Sequence, residues 1–169
     1  VLMSRLYLGH PYGRRPRGTQ QTVARITRDD LMAFHRTYFT PEGTTVVVVG
    51  DVQPADVMRA TSRAFESWEA PRAPQPAFRR ISADTARDWA VVSMMNKAQA
   101  DIAYGFVGLR RADPAYYAGW VMNNALGQYA LGGRLGDSIR ERQGMAYYVY
   151  STLDATLAEG PLMIRAGVG

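Results

Sequence analysis

The stretch that decides the fold runs from position 132 to position 149 and reads Gly-Gly-Arg-Leu-Gly-Asp-Ser-Ile-Arg-Glu-Arg-Gln-Gly-Met-Ala-Tyr-Tyr-Val. Gly132 and Gly133 predict a sharp turn, because glycine adopts backbone angles that other residues avoid. A short charged helix follows, and Gly144 stands where a glycine commonly closes a helix. A strand then begins at Ala146. The segment therefore predicts a glycine turn, a helix, a glycine stop and a strand.

Two hydrogen-bond donors flank that glycine stop. Arg140 lies near the end of the predicted helix, and Tyr147 lies on the strand that follows. A planar guanidinium group and a phenol hydroxyl are both suited to holding carbonyl oxygens. The spacing allows Arg140 and Tyr147 to face one spot and to hold the carbonyl groups of a peptide. By spacing alone, however, a helix-capping Arg140 and an ordinary strand aromatic at Tyr147 are the favoured interpretation.

The same stretch resembles the second half of the M16 metallopeptidases, the insulinase, pitrilysin and mitochondrial processing peptidase family. The match includes the glycine pair at 132–133, Arg140 and the Gly-Met-Ala-Tyr run at 144–147, where the family usually has leucine in place of Met145. The Val-Val-Gly-Asp-Val run at 48–52 is similar to the segment that closes the first domain of the family. The His-Pro-Tyr-Gly run at 10–13 is similar to a loop late in that domain.

The resemblance implies an α+β fold, with a mainly antiparallel sheet and helices packed on one face in each of two homologous domains. In the family, the arginine and tyrosine that match Arg140 and Tyr147 reach the substrate backbone from the second domain. The resemblance therefore implies a substrate-binding role for these two residues in a peptide hydrolase. The partners that it implies are a peptide or unfolded polypeptide and another M16 domain or subunit.

The zinc motif of the family, His-x-x-Glu-His, is absent from this sequence. Its two histidines, His10 and His35, lie 25 positions apart, and neither stands in a metal-binding motif. We therefore predict no metal ligands and no catalytic residues in this chain, and zinc in the parent chain or in a partner subunit. A homologue that has lost catalysis and acts as a partner or scaffold subunit is the alternative. We expect His10 and His35 to be structural.

The chain divides at a proline-rich segment. Residues 1–70 are predicted to end one domain, residues 71–80 to form a semi-rigid linker with three prolines, and residues 81–169 to begin a second domain. In the first part, Thr27 is predicted to cap a helix with an apolar stripe, residues 44–50 to form a buried strand, and Pro54 to begin a second helix.

The second part is predicted to contain four strands and one further helix. Asp113 is predicted to cap that helix, with Pro114 at its first position. The strands are expected at 89–95, 102–107, 146–153 and 161–168, because apolar and β-branched residues are concentrated there.

Composition excludes some classes of protein. Hydrophobic residues make up 47% of the 169 positions, which is ordinary for a folded domain, and no apolar run reaches the length of about 20 residues that a membrane-spanning helix needs. The absence of cysteine excludes disulfides and thiolate chemistry. The net charge of +5 rests on scattered basic residues, so we predict no nucleic-acid partner. We expect a piece of a longer bacterial protein, and the family favours a periplasmic over a cytoplasmic location.

Overall fold

The structure is a computed structural model that describes residues 1–71, 73–74, 81, 87–129 and 132–169. Contacts divide the chain into two compact units, one made of Val1–Pro16 with Phe78–Gly169 and the other of Arg17–Ala77. Residues 1–16, which the sequence analysis assigned to the first domain, thus belong to the same unit as the sheet of the second. Most of the predicted linker lies outside the described residues, and the domain boundaries stay a prediction.

In the described chain, the first four helices precede the first strand, and the last two strands are consecutive. The helices are α1 (Leu2–Leu6), α2 (Gln20–Ala24), α3 (Arg28–Tyr38), α4 (Pro54–Phe65), α5 (Tyr116–Leu126) and a π-helix (Gly136–Arg142), and the strands are β1 (Ala100–Val107), β2 (Ala146–Leu153) and β3 (Pro161–Val168). Short 3₁₀ turns occur at Pro11–Gly13 and Pro41–Gly43. In the described part of the chain, no helix is both long and apolar enough to cross a membrane.

The three strands of the first unit form one antiparallel sheet in the order β1-β3-β2. β2 and β3 have the bounds predicted from sequence, and β1 begins two residues before its predicted start. β3 lies in the centre because β1 and β2 both pair with it. The predicted α+β class with an antiparallel sheet is confirmed.

One face of this sheet carries the buried core of the unit. Ala146, Val149 and Ala166 are the buried members of the cluster. Leu135 and Ile139, one turn apart at the π-helix, pack against them. Burying such aliphatic side chains stabilises the fold by about 25 cal/mol per Å² of apolar surface. The core thus fastens the π-helix to the strand that follows it.

The N-terminal segment contacts part of the opposite face of the sheet. Leu2 of α1 lies against Gly105 of β1, where an added Cβ atom would be only 3.1 Å from the leucine side chain. Tyr7 is 1% exposed, and its hydroxyl donates to the carbonyl of Glu159 at 3.0 Å. Tyr12 accepts a hydrogen bond from the backbone of Ala158. Helices therefore contact both faces of this sheet.

The second unit contains the helices that the sequence predicts. Thr27 caps α3 through a reciprocal pair with Asp30, in which each side chain accepts from the backbone N–H of the other. Hydrogen bonds from the backbone and hydroxyl of Thr27 hold the pKa of Asp30 below its ordinary value. α4 begins at Pro54, as predicted.

The prediction that residues 44–50 form a buried strand is wrong for the described chain. These residues are irregular, and Val47 and Val49 are 78% and 91% exposed. The apolar stripes of α3 and α4 are also uncovered, with Leu31 and Phe34 more than half exposed. A strand needs a neighbouring backbone to complete its hydrogen bonds, and the described part of this unit supplies none. Apolar surface of this extent is typical of a surface that other polypeptide covers.

Two further predictions in the first unit need correction. Residues 89–95 are irregular and exposed, so the strand predicted there is absent from the described chain. Helix α5 begins at Tyr116 with Ala115 as its flanking residue, two positions after the predicted cap. Asp113 accepts a hydrogen bond from the backbone of Ala115 at 2.8 Å, so it closes the turn that precedes the helix.

Candidate functional site

The predicted charged helix is present as a π-helix, in which backbone bonds reach five residues along the chain. A helix of this kind is rare and is frequently found at functional sites. It ends as the sequence predicts. Gly144 has a φ of +61°, its N–H donates to the carbonyl of Arg140, and the N–H of Met145 donates to Ile139, each at 3.0 Å. The bond from a left-handed Gly144 to Arg140 is the αL type of helix ending, and the bond from Met145 reaches one residue further back than an α-helical ending would.

The glycine turn before the π-helix is required by close backbone approach. Gly133 has a φ of +92°, and an added Cβ atom would lie 2.9 Å from the Cα of Gly127. Its carbonyl accepts from the N–H of Asp137 and begins the helical turn. The N–H of Gly132 donates to the carbonyl of Tyr129 at 2.7 Å. Gly132 and Gly133 therefore set the direction in which the π-helix starts.

Tyr147 is the extra residue of a β-bulge. Ala146 pairs with Val168 and Tyr148 pairs with Gly167, so no residue of β3 stands opposite Tyr147. Strand residues normally alternate between faces, and the bulge is what allows Ala146 and Val149, three positions apart, to share one core. The ring of Tyr147 is consequently 77% exposed, and its hydroxyl makes no hydrogen bond to a described residue. The bulge thus presents this phenol to the outside.

Arg140 lies in the last turn of the π-helix, directly after the core residue Ile139. Its side chain is 35% exposed, and its Nε lies 3.7 Å from a carboxylate oxygen of Glu141, which is too far for a hydrogen bond. The two groups form an ion pair without a hydrogen bond, so the guanidinium N–H groups of Arg140 donate to no described residue. The neighbouring Arg142 differs, because its guanidinium donates a hydrogen bond to Asp137.

The structure places Arg140 and Tyr147 on the two sides of the Gly144 closure. Their side chains make no hydrogen bond to each other, and both retain unused donors within the described chain. Donors held on a helix end and a strand start are fixed by packed elements and not by a mobile loop. That both contact one bound backbone stays a prediction.

A group that the sequence analysis missed anchors the start of β2. The ring of Tyr148 lies across Gly167 of the central strand, and its hydroxyl donates to the Asp101 carboxylate of β1 at 2.6 Å. Lys97 pairs with the same carboxylate. The bond from Lys97, followed by the bond from Tyr148, lowers the pKa of Asp101, and the bond to Asp101 raises the pKa of Tyr148. These residues hold the strand next to the bulge.

The lowered pKa of Asp101 predicts a pH-dependent contribution to stability. A depressed carboxyl pKa stabilises the folded state fully above its unfolded value of about 3.9 and loses this effect as the pH falls through the folded value. We expect Asp101→Asn to lower the free energy of unfolding at pH 7 and to lower it less at pH 3, as measured by urea unfolding. Glu69→Gln, at an exposed position of the other unit, is the control. An equal loss at both pH values would contradict the prediction.

The two histidines have structural positions. The Nδ1 of His10 accepts from the backbone N–H of Tyr12 at 3.2 Å and caps the 3₁₀ turn. His35 lies in the other unit, on α3, stacked on Phe39 with ring centroids 4.7 Å apart. Among the described residues, no group of three His, Cys, Asp or Glu side chains is arranged to hold a metal ion. The described residues therefore do not fit a zinc site.

Comparisons with known proteins agree with this architecture. Residues 25–169 match the family model described as the peptidase M16 inactive domain. A protein of Streptomyces coelicolor named an uncharacterized zinc protease is 35% identical over 143 residues, covering 82% of this chain and 31% of that protein. A Mycobacterium leprae protein with the same description is 32% identical over 98% of this chain and 37% of its own length. The chain thus spans about a third of the length of these relatives.

Solved structures give the same result. The peptidase M16 inactive domain from Pseudomonas fluorescens matches 99% of this chain with a TM-score of 0.85 and 27% identity, over 40% of its own length. A protease from Helicobacter pylori matches 97% of this chain and 40% of its own with a TM-score of 0.88; at 23% identity, this likeness shows the fold. Sequence and structure together place the chain in the M16 peptidase family, as part of the family's inactive domain.

Proposed function

We propose that this chain is the substrate-holding part of an M16-type zinc peptidase. Arg140 and Tyr147 contact the backbone of a bound polypeptide beside the bond that is cleaved. The observation that carries the proposal is the pair of unused donors that the π-helix end and the β-bulge present on either side of Gly144. Relatives that are named zinc proteases support the reaction class.

The chemistry of the two donors suits this role. A carbonyl oxygen gains negative charge as its carbon becomes tetrahedral, so a donor at that oxygen stabilises the transition state more than the bound substrate. Arginine can donate two parallel hydrogen bonds from a rigid plane, and the tyrosine hydroxyl can donate a third. Hydrogen bonds to the backbone of a substrate do not depend on the identity of its side chains. The proposal therefore implies binding of polypeptides of varied sequence.

The metal belongs to another part of the proposed enzyme. Zinc in a peptidase activates the attacking water and polarises the carbonyl. Since the described residues do not fit a zinc site, we place the metal in the remainder of the parent protein or in a partner subunit. This chain supplies binding and orientation of the substrate, and its partner in the reaction is the zinc-bearing domain.

Metal analysis of the intact protein tests the proposal. We expect about one zinc per protein after dialysis against metal-free buffer, together with hydrolysis of unfolded fluorescein-labelled casein that stops on removal of the metal. Protein without zinc that still binds casein would indicate the alternative, a partner subunit without catalysis. Protein with neither zinc nor casein binding would contradict both functions.

A further inference from the structure

The π-helix is fastened by two side-chain links, each between residues five positions apart. Asp137 pairs with Arg142 through a carboxylate–guanidinium bond. The side-chain amide of Gln143 donates to the carbonyl of Ser138 at 2.9 Å and contacts its hydroxyl at 3.3 Å. On an α-helix, neighbouring side chains are three or four positions apart. A spacing of five fits the wider π turn, so both links favour that turn over the α turn.

Arg140 lies between the two ends of both links. Asp137 and Ser138 precede it, and Arg142 and Gln143 follow it. The residue before it, Ile139, packs on the core of the sheet. The carbonyl of Arg140 accepts a hydrogen bond from the N–H of Gly144. The backbone of Arg140 is thus fixed from the core side, from the helix end and from the outside.

The links also decide which arginine of the last turn is available. Arg140 and Arg142 are both in that turn. The guanidinium of Arg142 is taken up by Asp137, whereas that of Arg140 makes no hydrogen bond within the described chain. Breaking the link between Asp137 and Arg142 would free the guanidinium of Arg142 and would remove a restraint on Arg140. The pairing therefore separates a structural arginine from a binding one.

We propose that Asp137–Arg142 and Ser138–Gln143 are positioning pairs, which hold the π turn and thereby aim the Arg140 guanidinium at the polypeptide. This inference rests on the proposed function. A π turn is less favourable than an α turn and persists only with support from its surroundings. Without the links, the turn tightens, and Arg140 rotates relative to Ile139, which the core retains. The pairs touch no substrate themselves.

Binding of polypeptide to single variants is the first test. The intact protein is titrated into fluorescein-labelled, unfolded casein in the presence of EDTA, and binding is followed by fluorescence anisotropy. We expect Arg142→Gln and Gln143→Glu each to weaken binding by about tenfold, a typical size of coupling between residues in one network. Arg142→Lys, which keeps the charge, should bind within about twofold of wild type.

A matched control separates positioning from loss of a surface ion pair. Arg59 and Asp56 form an exposed pair on α4, which belongs to the other unit. We expect Arg59→Gln to bind casein like wild type, because it breaks an ion pair of similar exposure on a helix that carries neither Arg140 nor Tyr147. Hydrogen exchange gives a second readout. The amides of Gly144 and Met145, which close the π-helix, should exchange faster in Arg142→Gln and unchanged in Arg59→Gln.

A double-mutant cycle decides the inference. If the links act through Arg140, then Arg142→Gln should cause no further loss in a protein that already carries Arg140→Ala. Additive losses, or wild-type binding by both single variants, would overturn the inference while leaving the proposed function intact. Wild-type binding by Arg140→Ala would instead overturn the proposed function and this inference with it.

Discussion

Replacing Arg140 by alanine is expected to lower kcat/KM for an unfolded polypeptide by about 100-fold in the intact protein. Removal of one donor to a developing oxyanion typically costs about 10²–10³ in rate. Arg140→Lys should recover little, since an ammonium group cannot reproduce the planar, two-bond donation of a guanidinium group. Tyr147→Phe removes one neutral donor and should cost about tenfold. Turnover is measured with fluorescein-labelled casein.

Unfolding of the variants can be excluded as the cause of their lower turnover. Both side chains are partly or largely exposed, so the variants should keep the thermal midpoint of the wild type within a few degrees. Arg59→Ala, on the other unit, is the control and should keep full activity. Wild-type turnover by Arg140→Ala and Tyr147→Phe would remove both residues from the site.

The largest loss of stability is expected at the turn between β2 and β3. An added Cβ atom at Gly160 would lie 1.8 Å from the carbonyl oxygen of Asp154. The backbone there cannot move freely, because the carbonyl of Gly160 accepts from Gly108 and its N–H donates to Leu109. We expect Gly160→Ala to lower the free energy of unfolding by about 3 kcal/mol, the upper part of the range for overpacked sites.

Urea unfolding followed by circular dichroism measures this loss. Gly50→Ala is the matched control, because no atom lies within 4 Å of an added Cβ there and its φ is outside the left-handed region. The control should unfold like the wild type. If Gly160→Ala were as stable as Gly50→Ala, the described geometry of the turn would be wrong.

Much of the fold could be predicted because local signals decide it. The bounds of β2 and β3 follow from apolar strand residues around a turn, and Thr27 and Pro54 mark the starts of α3 and α4. Gly144 marked the helix end because its left-handed angle is a local requirement. These signals act over a few residues. Reading them needs no knowledge of the rest of the molecule.

The remaining differences arise from tertiary context. Four valines in a row at 46–49 predict a buried segment, because apolar side chains are favoured away from water. The sequence does not indicate which segment covers them, and the described chain leaves them exposed. The α5 cap was placed two residues early because Asp113 supports a turn as readily as a helix. In both cases the chemistry of the residue was interpreted correctly and its structural setting was not.

The residues proposed for the candidate site come from the sequence, whereas the local geometry around them was not predicted. The bulge is indicated by the spacing of two apolar residues. Ala146 and Val149 share one core only if an extra residue lies between them. Two spacings of five, Asp137 to Arg142 and Ser138 to Gln143, held the signal for the π-helix. Neither signal outweighs the more common α-helix and regular strand until the core is known.

The π turn has a consequence for how homologous sequences are aligned. A relative with one residue fewer between the positions of Gly133 and Gly144 would form an ordinary α turn there, and the chain on one side of the deletion would be rotated by about 100°. An arginine aligned with Arg140 would then leave the helix in another direction although the motif reads the same. In this segment, a one-residue gap therefore carries more functional information than a substitution.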